Sequence, residues 1–145
     1  MKLFNYRKFY KKDSLSIDDV GDNPLEFFRR WFEDADNSDE IIESNAMTLS
    51  TVESNAPSSR VVLLKEIKDR SLVFFTNYDS NKGRAISDNP NVCASFFWPS
   101  LERQVIFKGI AKKTDNDYSD TYFSSRPYKS QAAAIVSKQS DVIYS

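Results

Sequence analysis

Between residues 46 and 112 the chain alternates short β-prone runs with polar breaks, and that rhythm limits its fold more than any other feature. Residues 46–53, AMTLSTVE, are rich in threonine and apolar residues, and Asn55-Ala56-Pro57 then breaks the run. A second strand is predicted over residues 59–67, a turn at Lys68-Asp69-Arg70 and a third strand over 72–77. A fourth spans 92–98 and a fifth 103–112. Breaks this short favour an antiparallel meander. The fourth run, VCASFFW, is apolar on both faces, as expected near the centre of a barrel or closed sheet.

Helical patterns flank the strands. Asn23 is a candidate N-cap, Pro24 suits a first helical position, and Glu26 sits three residues after the cap. Leu25, Phe28, Trp31, Phe32 and Ala35 follow as an apolar stripe suited to cover a sheet, with the helix ending near Asn37-Ser38. YDSNKGRAISDNP reads as a polar loop and short helix stopped by Asn89-Pro90. Residues 115–125 suit a helix with Tyr118, Tyr122 and Phe123 on one side; Arg126-Pro127 breaks it, and a second helix restarts from Ser130. No internal repeat or low-complexity segment interrupts this order. The expected class is α+β, mostly antiparallel β, with the sheet closing into a small barrel and peripheral helices.

Composition narrows the chemistry. At 145 residues the chain can bury one real core, and 11 Phe, 7 Tyr and 2 Trp supply it. Twenty basic residues against 21 acidic ones give a net charge of −1, so a non-specific nucleic-acid binder is disfavoured. The N-terminus lacks the apolar core of a signal peptide, and no stretch reaches the length of a membrane span. A cytoplasmic setting is expected, since the single cysteine, Cys93, cannot make an intramolecular disulfide. Cys93 itself reads as core. The chain has no histidine, which removes the commonest general base and metal ligand. No metal site is expected; if the chain is an enzyme, an organic cofactor carries the chemistry.

Four stretches could bind anions or a heteroaromatic ring, each with an ordinary alternative. RVVLLKE, residues 60–66, puts a cation at each end of an apolar run, and strand alternation sends Arg60 and Lys65 to opposite faces. They are either strand-end charges in water or the walls of two anion pockets. TNYDSNKGR groups Thr76, Ser80, Lys82 and Arg84 around Gly83, either a phosphate cradle or a solvated connection. In YFSSRPYKSQ, Tyr122, Arg126 and Ser130 fall four apart; they could converge on one anion, or Arg126 could simply complement a helix C-terminus. Gln104, in LERQVIFKG, needs partners if buried, from a ring edge or from a neighbouring strand.

In order and spacing, RVVLLKE, FFTNYDSNKGR, LERQVIFKG, YFSSRP and SQAAAIVSKQS resemble the pyridoxamine 5′-phosphate oxidase family over almost the whole chain. That resemblance implies a split β-barrel homodimer with FMN at the subunit interface. It implies oxidation of pyridoxamine or pyridoxine 5′-phosphate to pyridoxal 5′-phosphate, with oxygen as acceptor and hydrogen peroxide released. Carried over by position, Arg60, Val61, Val62, Leu63, Leu64 and Lys65 line FMN, with Arg60 near its phosphate. Thr76, Lys82, Gln104, Gln139 and Ser140 match further flavin contacts, and Phe75 and Asn81 stand at two more such positions. Lys65, Tyr122, Arg126 and Ser130 match the group holding the substrate phosphate, and Arg7 and Tyr10 resemble a mobile pair closing over the substrate. No side chain is expected to be catalytic, because the flavin accepts the hydride. The partners implied are a phosphorylated B6 vitamer and a second copy of the chain, with no nucleic acid and no membrane.

The resemblance also marks departures. Phe75 stands where the family commonly has Tyr, and Asn81 where it has Arg. Losing one hydrogen bond to a charged group, roughly 1.5–3 kcal/mol, would weaken FMN about 10- to 100-fold. The family continues past the position of Ser145 with further strands, an Arg-x-His pair at the substrate ring and a late Trp and Arg at the flavin. The chain therefore reads as one domain over residues 1–145, with 1–21 a mobile N-terminal segment and the family's C-terminal part missing. A non-catalytic flavin- or vitamer-binding module is the alternative to an oxidase.

Overall fold

The computed structural model describes residues 3–6, 9–12, 14–136 and 139–140. Helix α1 covers Ile17–Val20 and α2 Pro24–Asp36, followed by β1 Ala46–Glu53, β2 Ala56–Leu63, β3 Glu66–Lys68 and β4 Ser71–Val73. Helix α3, Asn81–Asp88, leads to β5 Asn91–Trp98 and β6 Arg103–Ile110, and α4 Asn116–Ser125 and α5 Tyr128–Val136 complete the order. One antiparallel sheet has the order β2-β1-β5-β6, and β3-β4 form a separate two-stranded sheet. Among the described residues the larger sheet does not close on itself. The split-barrel expectation holds for architecture, but the simple meander does not: β5 crosses over to lie beside β1.

The hairpin joining β1 to β2 turns on Ser54 and Asn55, whose φ values of 50° and 62° are those of a two-residue primed turn. Ala56 and Pro57 were expected to break the chain, yet both already belong to β2, with Pro57 opposite Val52. Proline is tolerated there because β2 is an edge strand, so its missing N–H costs no ladder bond.

The predicted strand over 59–67 is really two. Strand β2 ends at Leu63, where its partner β1 begins. Asn45 takes over next: its carbonyl accepts from the Leu64 N–H at 2.8 Å, and its Nδ2 donates to the Leu64 carbonyl at 2.9 Å. The Lys65 N–H then donates to the Val73 carbonyl at 2.8 Å, which moves the chain into the β3-β4 hairpin. Strand β4 likewise stops at Val73, short of the predicted 72–77. The second C-terminal helix starts at Tyr128, directly after Pro127 and earlier than Ser130.

Helix α2 forms as its sequence requires. The Asn23 side chain accepts from the Leu25 and Glu26 N–H groups, and Pro24 occupies the first turn, where no intrahelical donor is needed. Its Phe28, 2% exposed, meets Phe96, Trp98 and Phe107 at ring-centroid distances of 5.1, 6.1 and 4.8 Å. Met47, Leu49, Val62, Ala94, Phe96 and Trp98 fill the sheet's inner face beneath it. At the end of α2, Ser44 Oγ donates to Asp36 at 2.6 Å while its carbonyl accepts from Trp98 Nε1 at 3.1 Å. That double contact fixes the helix against the sheet.

The outer face is different. Val61, Phe97, Ile106 and Ile110 are 66, 60, 54 and 64% exposed, so neither RVVLLKE nor VCASFFW is buried on both sides. Cys93, expected in the core, is only half-buried and shares this outer face with its cross-strand partner Lys108.

Gly83 is fixed by close approach: a Cβ there would lie 2.2 Å from the Tyr78 carbonyl oxygen, whereas at Gly109 it would meet open space. Gly83→Ala should therefore destabilise the chain by about 1–3 kcal/mol through forced displacement of the loop. Gly109→Ala should change stability by less than about 1 kcal/mol. Urea midpoints of the two variants, compared with the parent, test the difference.

Candidate functional site

The inner face of the sheet changes character beyond the aromatic core. Arg60 pairs with Leu49 across the β1-β2 ladder and so points to the covered side. Its Nη1 donates to Thr51 Oγ1 at 2.8 Å and to the Leu49 carbonyl at 3.2 Å, and its Nη2 donates to Ser58 Oγ at 2.8 Å. Thr51 is 1% exposed, so the guanidinium is anchored from beneath and its direction is fixed. Sequence reasoning missed Thr51 and Ser58 as the supports of Arg60. The signal was present: Ser58 lies two residues before Arg60 on the same strand face, and Thr51 is its cross-strand partner.

Lys82 comes to the same place from helix α3, which packs against β1. Ser80 caps that helix: its Oγ accepts from the Gly83 N–H at 3.3 Å and donates to the Asn77 carbonyl at 2.6 Å. Lys82 Nζ lies 3.4 Å from Ser80 Oγ, and Thr76 Oγ1 lies 3.5 Å from the same atom. Lys82 is 9% exposed, unusual for a lysine. Burial first, and the nearby Arg60 guanidinium second, hold its pKa below the ordinary lysine value. Among the described residues, no carboxylate lies within ion-pair distance of Arg60 or Lys82. Two cations, hydroxyls and a helix N-terminus thus converge without a counter-charge, an arrangement suited to a phosphate dianion.

Neighbouring expected residues fall into three groups. Asn81 and Ser140 join the cradle's rim: the Asn81 N–H donates to Ser140 Oγ at 3.3 Å, and Asn81 Oδ1 accepts from Arg84 at 2.6 Å. Gln139 is exposed beside Ser140. Arg84, grouped with the cradle by sequence, instead binds its own loop through Asn81 and the Asp79 carbonyl. Phe75 stacks on Tyr122 with ring centroids 3.5 Å apart and 6° between planes, and on Tyr118 at 6.0 Å. Phe75 therefore joins the strand region to α4, which carries one of the residues matched to the substrate phosphate.

The remaining residues are more dispersed. Tyr122 lies on α4, Arg126 is that helix's extended C-cap, and Ser130 lies in the first turn of α5. The chain break at Arg126-Pro127 means that helical i, i+4 spacing does not align the three. Val62 and Leu64 are buried, Leu63 is half-buried, and Val61 and Lys65 are exposed. Lys65 lies beyond the end of β2, so strand alternation no longer relates its direction to that of Arg60. Gln104, exposed and opposite Phe97, lies on the outer face, away from Arg60. Tyr10 is 70% exposed, and Arg7 lies outside the described residues.

The depressed pKa of Lys82 has a definite sign for stability. Between its folded pKa and the ordinary lysine value, near 10.4, the unfolded chain binds more protons, so stability rises with pH across that window. Below it, the buried charge opposes folding. Lys82→Met should therefore melt higher than the parent at neutral pH, with the advantage shrinking as pH approaches about 10.4. Added orthophosphate should raise the melting temperature of the parent and leave the variant unmoved. A variant less stable at every pH, with an undiminished phosphate response, would contradict the cradle.

Comparison with known proteins gives the chain's family. Residues 35–144 match the family model described as pyridoxamine 5′-phosphate oxidase. The chain is 50% identical over 144 residues to pyridoxine/pyridoxamine 5′-phosphate oxidase of Flavobacterium psychrophilum, covering 99% of this chain and 67% of that protein. It is 51% identical over 142 residues to the enzyme of the same name from Flavobacterium johnsoniae, covering 97% of this chain and 66% of the relative. The chain thus spans about two thirds of the length of these relatives. Among solved structures, PhzG from Burkholderia lata 383, in complex with tetrahydrophenazine-1-carboxylic acid, superposes with a TM-score of 0.84 at 28% identity, covering 92% of this chain and 67% of that one. An FMN-binding protein from Nostoc punctiforme PCC 73102, related to pyridoxamine 5′-phosphate oxidase, shares the fold at a TM-score of 0.57 and 18% identity, covering 69% of this chain and 59% of that one. With the family model matched over most of its length and relatives at half identity, the chain belongs to the pyridoxamine 5′-phosphate oxidase family.

Proposed function

We propose that the chain binds FMN and oxidises pyridoxamine or pyridoxine 5′-phosphate to pyridoxal 5′-phosphate, with oxygen reduced to hydrogen peroxide. The observation carrying this reading is Lys82, 9% exposed beside Arg60, with no carboxylate among the described residues to neutralise either. Such a pair fits the phosphate end of FMN, and the names of the relatives favour the same chemistry. Bound there, FMN would supply the two-electron acceptor, leaving binding and orientation to the protein.

The work of this chain's own residues is binding and orientation. Arg60, Lys82 and the α3 N-terminus hold the cofactor phosphate, with Thr76, Asn81, Gln139 and Ser140 around it. The strand segment of Val61, Val62, Leu63 and Leu64 forms the wall beside the ring, with Val62 and Leu64 backing it from the core, and Phe75 braces Tyr122. Lys65, Tyr122, Arg126 and Ser130 take the phosphate of the vitamer, and Arg7 and Tyr10 close over it.

A homodimer with the cofactor at its interface belongs to the same reading. Arg60 and Gln104, both assigned to the flavin, lie on opposite faces of one sheet. One chain cannot readily direct both at a single ligand, whereas the outer face of a second copy could supply the glutamine. The exposed Val61, Phe97, Ile106 and Ile110 on that face give it an apolar surface to bury.

The test is oxygen uptake by the FMN-loaded chain. Pyridoxamine 5′-phosphate should drive oxygen consumption with matching formation of pyridoxal 5′-phosphate, and unphosphorylated pyridoxamine should be a far poorer substrate. Uptake no faster than that of free FMN, with the cofactor bound, would reject the oxidase and leave the binding module.

A further inference from the structure

The turn between β5 and β6 holds a residue whose side chain reaches far along the chain. Glu102 sits at φ 57°, a left-handed conformation that non-glycine residues avoid. Its Oε2 accepts hydrogen bonds from the backbone N–H groups of Lys11 at 2.8 Å and Lys12 at 3.0 Å. These partners lie 91 and 90 residues away in sequence, so the carboxylate joins the N-terminal segment to the end of the main sheet. Bonds from amides to an ionised carboxylate are among the stronger kind.

The described aromatic side chains of the segment so held give it little anchorage. Phe4, Tyr6, Phe9 and Tyr10 are 81, 80, 82 and 70% exposed, so the aromatic side chains do not anchor it in the core. Tyr10, which the proposed function assigns to closure over the substrate, immediately precedes the two clasped amides. Gln104, assigned to the flavin, lies two residues after the clasp on β6. A carboxylate at this corner therefore fixes where the strap meets the sheet, one residue beyond Tyr10.

We propose that Glu102 is a positioning residue, clasping the N-terminal strap through the Lys11 and Lys12 amides and so setting Tyr10 for substrate closure. The proposal rests on the oxidase reading for its substrate but not for the clasp itself. Glycine is the informative replacement, because it removes the carboxylate and relieves the left-handed backbone together. Glu102→Gly should therefore keep the core fold, since the clasp ties only the exposed strap to the sheet.

Two measurements on the full chain decide it. Hydrogen exchange should show the Lys11 and Lys12 amides protected in the parent and unprotected in Glu102→Gly. In steady-state assays of the FMN-loaded protein, the KM for pyridoxamine 5′-phosphate should rise about tenfold, the scale of one charged hydrogen bond, with FMN affinity unchanged. Glu102→Gln, which keeps one acceptor oxygen, should fall between the two. Lost protection with an unchanged KM would overturn the positioning role, and retained protection would overturn the clasp. If the parent itself shows no turnover, the oxidase reading fails separately; the exchange data still decide the clasp, and the substrate-setting role falls with the reaction.

Discussion

Holding two cations close together with little water requires either a strong scaffold or an anion, and Arg60 and Lys82 have the scaffold without the anion among the described side chains. Arg60 is fixed by Thr51, Ser58 and the Leu49 carbonyl, all neutral acceptors. Lys82 is fixed by the start of a capped helix whose loop must pass so close to itself that only Gly83 fits. Neutral supports leave the positive field intact, whereas a carboxylate would have cancelled it. The stability given up at this site is offset where Phe28 of α2 packs on Phe96 and Trp98 of the sheet.

That separation of labour explains the layout. The inner face of one sheet serves two purposes along its length, with aromatic packing under α2 and a polar, cationic cradle where α3 meets β1. The switch of the chain from β2 to the β3-β4 hairpin, held by Asn45, lets Lys65 leave the sheet just after the apolar wall ends. The outer face stays open and apolar, which gives a second copy of the chain a surface to meet. Phe75, with its ring against Tyr122, links the strand region to α4. The clasp at Glu102 makes a comparable link between the N-terminal strap and the end of the sheet.

Much of this was legible in the sequence, for identifiable reasons. The start of α2 followed from Asn23-Pro24 because capping is local chemistry, and the bounds of β1 followed from its β-prone composition. The end of β2 was not legible, because it depends on where β1 starts and on a side chain, Asn45, that is distant in sequence. Pro57 misled because a proline breaks a central strand but not an edge, and edge status is a property of the sheet. In the site, residue type pointed to Lys82 and Arg60, but not to their proximity or to the loss of solvent around Lys82. Arg84 matched the cradle in type and failed in direction. Glu102 carried no local signal at all, since its partners lie at the other end of the chain.

The central claim is that the Arg60–Lys82 pair recognises a phosphate, and parallel fluorescence-quenching titrations with FMN and riboflavin test it most directly. These ligands share the ring system and differ only in the phosphate. If the pair forms the phosphate site, FMN should bind about 100-fold or more tightly than riboflavin, as expected for two charge-assisted contacts. The difference should narrow as salt is raised. Equal affinity for the two would contradict the account, because the flavin would then be held by its ring alone and the paired cations would have no part in binding it.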